Sequence, residues 1–276
     1  MKPAARSSQA GVTLIELLVG LAIGLMAIAV ALGALLVSRS VSGTVSDATQ
    51  LQQQGAHAMR MIGLQLRQAG SIRLNLAFAQ TGASAPTVID PGEPVAFEAV
   101  FDRAAATLAT DSTTPLQVGY QNYTEAVASG NGTVQRSLLG DCLGNTPSAT
   151  AVQSNFRLVR AQGAATGELQ CAGADGAAQT IIGNVTDFQV NYLVQTLTAT
   201  GADMRRVAAA GVGGNWPSVV AVEVCLELVG TENIDTAGAT YRNCSWTTGQ
   251  AETAMGNRMR LVLRNTFQLR TQGAAR

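Results

Sequence analysis

Lysine is almost missing from this 276-residue chain: Lys2 stands alone, and His57 is the only histidine. With no lysine downstream of the first residues there is no phosphate-binding P-loop and no Schiff-base amine. His57 lies in what reads as a helix close to the membrane, which argues against a histidine-based triad, and a single histidine makes no multi-histidine metal site. Charged residues make up only 13% of the chain and the formal net charge is zero, so no basic field is available to hold nucleic acid. No Gly-x-Ser-x-Gly elbow, Walker sequence or EF-hand loop occurs. Gly211-Val212-Gly213-Gly214 lacks dinucleotide-loop spacing and reads as a connection. Asn233 and Asp235 are oxygen donors of the kind calcium takes, but they read better as a polar surface loop. Catalytic residues, metal ligands and cofactors are therefore all expected to be none.

Cysteine is also scarce, and its arrangement is informative. Cys142, Cys171, Cys225 and Cys244 all follow the apolar N-terminal stretch, and none forms a Cys-x-x-Cys pair. An even count in an exported region favours disulfides over zinc or free thiols. Three connectivities are possible. The simplest joins neighbours in sequence, Cys142 with Cys171 and Cys225 with Cys244.

Charge is absent altogether from Leu17 to Val37. As a helix these 21 residues extend about 32 Å, which matches a hydrocarbon core of about 30 Å. Lys2 and Arg6 precede the stretch with no acidic residue to offset them, so the start is expected to stay cytoplasmic and the remainder to be exported. A cleaved secretory signal predicts a shorter apolar run with an Ala-x-Ala site after it, and neither is found. An uncleaved signal anchor fits the hydropathy but leaves Glu16 unexplained. A carboxylate one turn inside a span is costly and requires a partner.

Gly11-Val12-Thr13-Leu14-Ile15-Glu16 resembles the prepilin cleavage and methylation motif of type IV pilins and type II secretion pseudopilins. The resemblance implies that a membrane-embedded prepilin peptidase cuts after Gly11, and that Val12 becomes the N-methylated mature N-terminus. Glu16 is then the fifth mature residue, whose charge pairs with the amine of a neighbouring subunit during assembly. Val12 stands where the family usually has phenylalanine. Mutual neutralisation makes the two charges tolerable where either alone is not.

Beyond the span the helix is expected to continue to Ala69-Gly70. Val41, Val45, Ala48, Leu51, Gly55, Ala58, Ile62, Leu66 and Ala69 share one face, with Asp47, Gln50, Gln53, Arg60 and Arg67 on the other. Gly43, Gly55 and Gly63 mark bends or close contacts. Residues 80–94, with three prolines, read as loop. Asn131-Gly132 suggests a hairpin turn and 155–160 a strand, while the Gly- and Ala-rich 161–178 reads as a loop. Alternation marks strands at 187–194, 219–229 and 258–264. In the 219–229 strand, Val220, Val222, Val224, Leu226 and Leu228 face one way and Glu223, Cys225 and Glu227 the other. Residues 199–217 read as a glycine-rich connection, 230–256 as a polar loop, and the tail from Gln268 as frayed.

These elements give an α+β fold, a long N-terminal helix packed on an antiparallel sheet, which resembles the ladle of pilins. The expected segments are a leader (1–11), a transmembrane and assembly helix (12–37), its amphipathic continuation (38–70) and a β-rich body (71–276). The stretches 181–192, 216–222 and 263–265, with the large body and paired cysteines, resemble PilW-type minor pilins of type IV pili. That resemblance implies a structural subunit held in the inner membrane with its body periplasmic, and on the pilus or cell surface after assembly. Its partners would be prepilin peptidase, other minor pilins, the major pilin and possible contact with a tip adhesin, in support of twitching motility, adhesion or DNA uptake. The alternatives are a type II secretion pseudopilin, a membrane-anchored DNA-binding pilin-like module, and an exported enzyme on a signal anchor. The leader aside, 16 arginines face 18 acidic residues, which disfavours nucleic acid as the primary partner.

Overall fold

The computed structural model describes residues 11–75, 96–98, 101–110, 114–130, 132–147, 150–173, 176–199 and 201–270. The leader before Gly11 and the loop expected over 80–94 lie outside the described residues. The chain divides into two compact units, Met1–Asp47 and Ala48–Arg276.

The first unit is the start of one long helix, α1, which runs from Leu14 to Gln68. It contains a stretch long and apolar enough to cross a membrane. Its apolar side chains, from Leu14 through Leu36, are exposed wherever they are described. A helix apolar on all sides buries itself in lipid or among other helices rather than on one core.

The second unit holds the rest of α1 and the strands. Gly70, at φ 67°, ends the helix, and its N–H donates to the Gly119 carbonyl at 2.8 Å. After the helix come β1 (Arg73–Asn75), β2 (Ala96–Glu98), the short helix α2 (Arg103–Ala106), β3 (Leu108–Ala109) and β4 (Leu116–Gln121). Next are β5 (Thr124–Ser129), β6 (Gly132–Ser137), β7 (Ala151–Val159), β8 (Gly167–Ala172), β9 (Ala178–Thr198) and β10 (Gly201–Val207). A short helix α3 (Ala209–Val212) and a 3₁₀ turn (Trp216–Ser218) lead into β11 (Val219–Asn233). The chain closes with β12 (Thr240–Tyr241), β13 (Thr253–Ala254) and β14 (Arg258–Gln268). The main sheet is antiparallel in the order β14-β11-β9-β8-β7-β4-β3. β9 is long enough to pair β8 with its first half and β10 with its second, while β11 takes its other edge.

One core joins helix and sheet. Leu51, Ala58, Met59, Ile62 and Leu66 of α1 share it with Phe188, Tyr192, Val222, Val224, Leu226, Leu228 and Phe267. Gly55 and Gly63 are contact points, as expected: a Cβ on Gly55 would meet Leu263 and Leu228, and one on Gly63 the Phe267 ring. A buried polar cluster ties the helix to two strands. Gln65 Oε1 accepts from the Tyr120 hydroxyl at 3.0 Å and from Ser154 Oγ at 2.9 Å. Ser154 Oγ in turn accepts from the Cys142 N–H at 3.0 Å.

Several expectations are corrected. Asp47 is buried, because it stands four residues before Leu51 on the inner stripe and not on the polar face. Val41 and Val45 are exposed, so the covered stripe begins later than periodicity suggested. The stretch 161–178 contains β8, and 199–217 contains β10 and α3. β11 has an irregularity between Val219 and Ala221, which buries Val219 and turns Val220 out of the alternation. Gly132, expected in the hairpin turn, already belongs to β6, where it pairs with Ser129. The polar stretch 230–256 holds the end of β11 and the small β12–β13 pair. Gln268 belongs to β14, and Leu269 beyond it is buried.

Candidate functional site: the N-terminal processing and assembly segment

Residues 11–13 carry no regular structure and α1 begins at Leu14. Gly11 and Val12 are exposed, and nothing lies within 4 Å of a Cβ built on Gly11. The peptide bond between them thus lies outside the helix and is exposed.

Thr13 and Glu16 form a reciprocal cap. The Thr13 N–H and hydroxyl donate to Glu16 Oε2, and the Glu16 N–H donates to Thr13 Oγ1, each at 3.4 Å. This is the capping box, Thr-x-x-Glu, which satisfies two helix-end donors at once. A carboxylate in the first turn also complements the positive end of the helix dipole. Thr13 is a residue that reading the motif as Gly11 plus Glu16 passes over, although the Thr-x-x-Glu spacing was visible. The cap holds the Glu16 carboxylate but brings no positive charge to it. Gly11, Val12 and Glu16 lie together at the helix mouth, while all four cysteines lie in the second unit.

There the structure forms two disulfides, Cys142 with Cys171 and Cys225 with Cys244. The second ties the 234–257 segment onto β11 and covers the sheet face on which Glu227 stands. Glu227 is buried, accepting from the Tyr241 hydroxyl at 2.6 Å and pairing with Arg260 at 3.1 Å. Burial, with the hydrogen bond and charge of Glu227, pushes the Tyr241 phenol up to about 12. Asp187 and Glu227 approach Cys244 closely enough to suggest a cation site. The donor set does not fit one: the Cys244 sulfur is bonded to Cys225, and Glu227 is engaged by Tyr241 and Arg260. Asn233 and Asp235 serve their own loop, accepting from Asn257 Nδ2 and the Ala237 N–H. His57 is an exposed helical residue.

A lipid-length apolar helix with a capped carboxylate at its mouth, followed by a disulfide-bonded antiparallel body, defines a type IV pilin-like protein. Residues 6–37 match the prokaryotic N-terminal methylation motif, and residues 149–271 match the type IV pilus-assembly protein W family. The second match spans somewhat under half of the chain, and the two together make this a type IV pilin-like chain involved in pilus assembly. A comparison with curated proteins found no match. Among solved structures, a type IV-like pilin from Thermus thermophilus aligns at 12% identity and a TM-score of 0.29, covering 60% of this chain and 84% of that one. The apolar helix and its motif fit membrane anchoring before assembly.

Proposed function

We propose that this chain is a structural subunit, not a catalyst, which primes type IV pilus assembly from the inner membrane together with other minor pilins. Prepilin peptidase removes the leader 1–11 between Gly11 and Val12, and Val12 becomes the methylated N-terminus. Residues 12–37 cross the membrane with the leader cytoplasmic, 38–70 continue the helix, and 71–276 form the periplasmic body. The subunit then enters the fibre at or near its tip, where it supports twitching motility, adhesion or DNA uptake.

The observation that carries this reading is the state of Glu16. Its described hydrogen bonds all go to Thr13, three residues away, and none supplies a cation. A charge held at the edge of a span without a counter-ion is costly, and the amine created at Val12 of a neighbouring subunit supplies one. Glu16→Leu is expected to leave leader removal intact and to deplete the protein from sheared filaments. Equal recovery of variant and parent chains in those filaments would overturn the pairing. Deletion of the chain, scored side by side for surface pili and for protein secretion, tests the choice of filament. Loss of pili with normal secretion is expected, and the reverse would assign the subunit to a secretion pseudopilus.

A further inference from the structure

β14 is the last strand of the main sheet and, among the described residues, pairs only with β11. Its ladder is fixed by the Leu269 N–H donating to the Val220 carbonyl. Alternation then turns Phe267 and Asn265 toward β11, and the amides of Gln268, Thr266 and Arg264 outward. The Thr266 N–H is satisfied by the neighbouring Asn265 side chain at 2.9 Å, as expected of an edge amide with no strand beside it. An open edge of eleven residues is a template for another strand.

Alongside this edge runs a groove of about 170 Å³ between α1 and β14, lined by Met59, Arg60, Gly63, Leu64, Arg67, Asn265 and Phe267. Leu64 is 51% exposed, and Arg60 and Arg67 are exposed on either side of it. No acidic residue occurs in α1 after Asp47 or anywhere in β14. No ion pair to Arg60 or Arg67 is present among the described residues. The groove therefore joins three features: an apolar floor, two exposed arginines with no ion pair among the described residues, and a row of backbone donors and acceptors.

We propose that the β14 edge and this groove receive an extended, acidic segment of another pilus subunit, which adds as a strand and sets its carboxylates against Arg60 and Arg67. The inference rests on the pilus-subunit reading above. Two arginines are too few to hold a polyphosphate, and a phosphate backbone has no use for the strand edge or for Leu64. An added polypeptide strand uses all three features.

The test is a photocrosslinking side chain at Leu64 in the full-length chain, expressed in piliated cells, with the cross-linked peptide sequenced. The expected product joins Leu64 to an acidic strand of another pilus subunit. Arg60→Glu with Arg67→Glu is expected to cut its yield by about tenfold. Thr266→Pro removes an outward amide without touching the β11 ladder and is expected to cut it likewise. Retention of both disulfides shows that the variants fold. A product with nucleic acid, with lipid or within the same chain, or a yield unchanged by the charge reversal, overturns the proposal. Absence of the unsubstituted chain from sheared pili instead overturns the pilus-subunit reading, while its presence there without the Leu64 product overturns only this one.

Discussion

Gly63 has no space for a side chain, since a Cβ there would stand 2.5 Å from the Phe267 ring. Alanine improves helix propensity by about 1 kcal/mol, but overpacking against a ring that cannot fold away costs about 1–3 kcal/mol. Gly63→Ala is expected to lower the stability of the full chain in detergent by up to about 2 kcal/mol, read by urea unfolding. Gly55→Ala is expected to cost less, because the nearest atoms there are terminal methyls of Leu263 and Leu228, which are able to turn aside. Gln65 two residues further on is a different case, since it accepts from two buried hydroxyls. Gln65→Leu leaves them without that acceptor and is expected to cost about 1–3 kcal/mol in the same measurement. Both glycines were readable as contact points from their place in an amphipathic helix. Gln65 was not, because a lone glutamine carries no pattern and its partners are 55 and 89 residues away.

At the scale of elements, the sequence showed strands that alternate and hid those that do not. β11 and the second half of β9 carry β-branched and aromatic residues on a buried face, and both were legible. β8, Gly-Glu-Leu-Gln-Cys-Ala, buries only Leu169 and Cys171 and is held by backbone pairing to β7 and β9. β10 buries nothing and exists because it pairs with β9. Composition therefore read both as loops. The face of β11 that bears Cys225 and Glu227 was read as lying opposite the valine and leucine face, and the alternation did not show that both residues are buried beneath the disulfide-tied segment. The Tyr241–Glu227–Arg260 contact there carries a pH signature. Tyr241 titrates near 12 in the fold, above its ordinary value near 10, so the folded state favours the neutral phenol. Its contribution is complete below pH 10 and is lost as the pH rises toward 12. Burial raises Tyr120 and Tyr192 as well, Tyr120 with help from the Asp141 charge. Phenolate absorbance is expected to lag the free-tyrosine curve until alkaline unfolding releases it. Tyr241→Phe is expected to remove its own part of that lag. A curve that follows free tyrosine from pH 10 would contradict the burial.

Across the whole molecule, the two ends of the sequence report on one another. The leader holds Lys2 and Arg6 and no acid, while the disulfides lie beyond the span. Disulfides persist in the periplasm and are rare in the cytosol, so their formation measures whether the body has crossed the membrane. The orientation proposed here depends on the basic leader staying behind. Lys2→Glu with Arg6→Glu is therefore expected to trap the body in the cytoplasm and to raise the free-thiol count of the full chain, read by alkylation before lysis. A cytoplasmic body would also lack about 3–4 kcal/mol for each missing bridge in the chain-entropy description, and would be degraded faster. If the leader variant kept all four cysteines protected from alkylation, leader charge would not set orientation, and the exposed apolar helix alone would have to account for export.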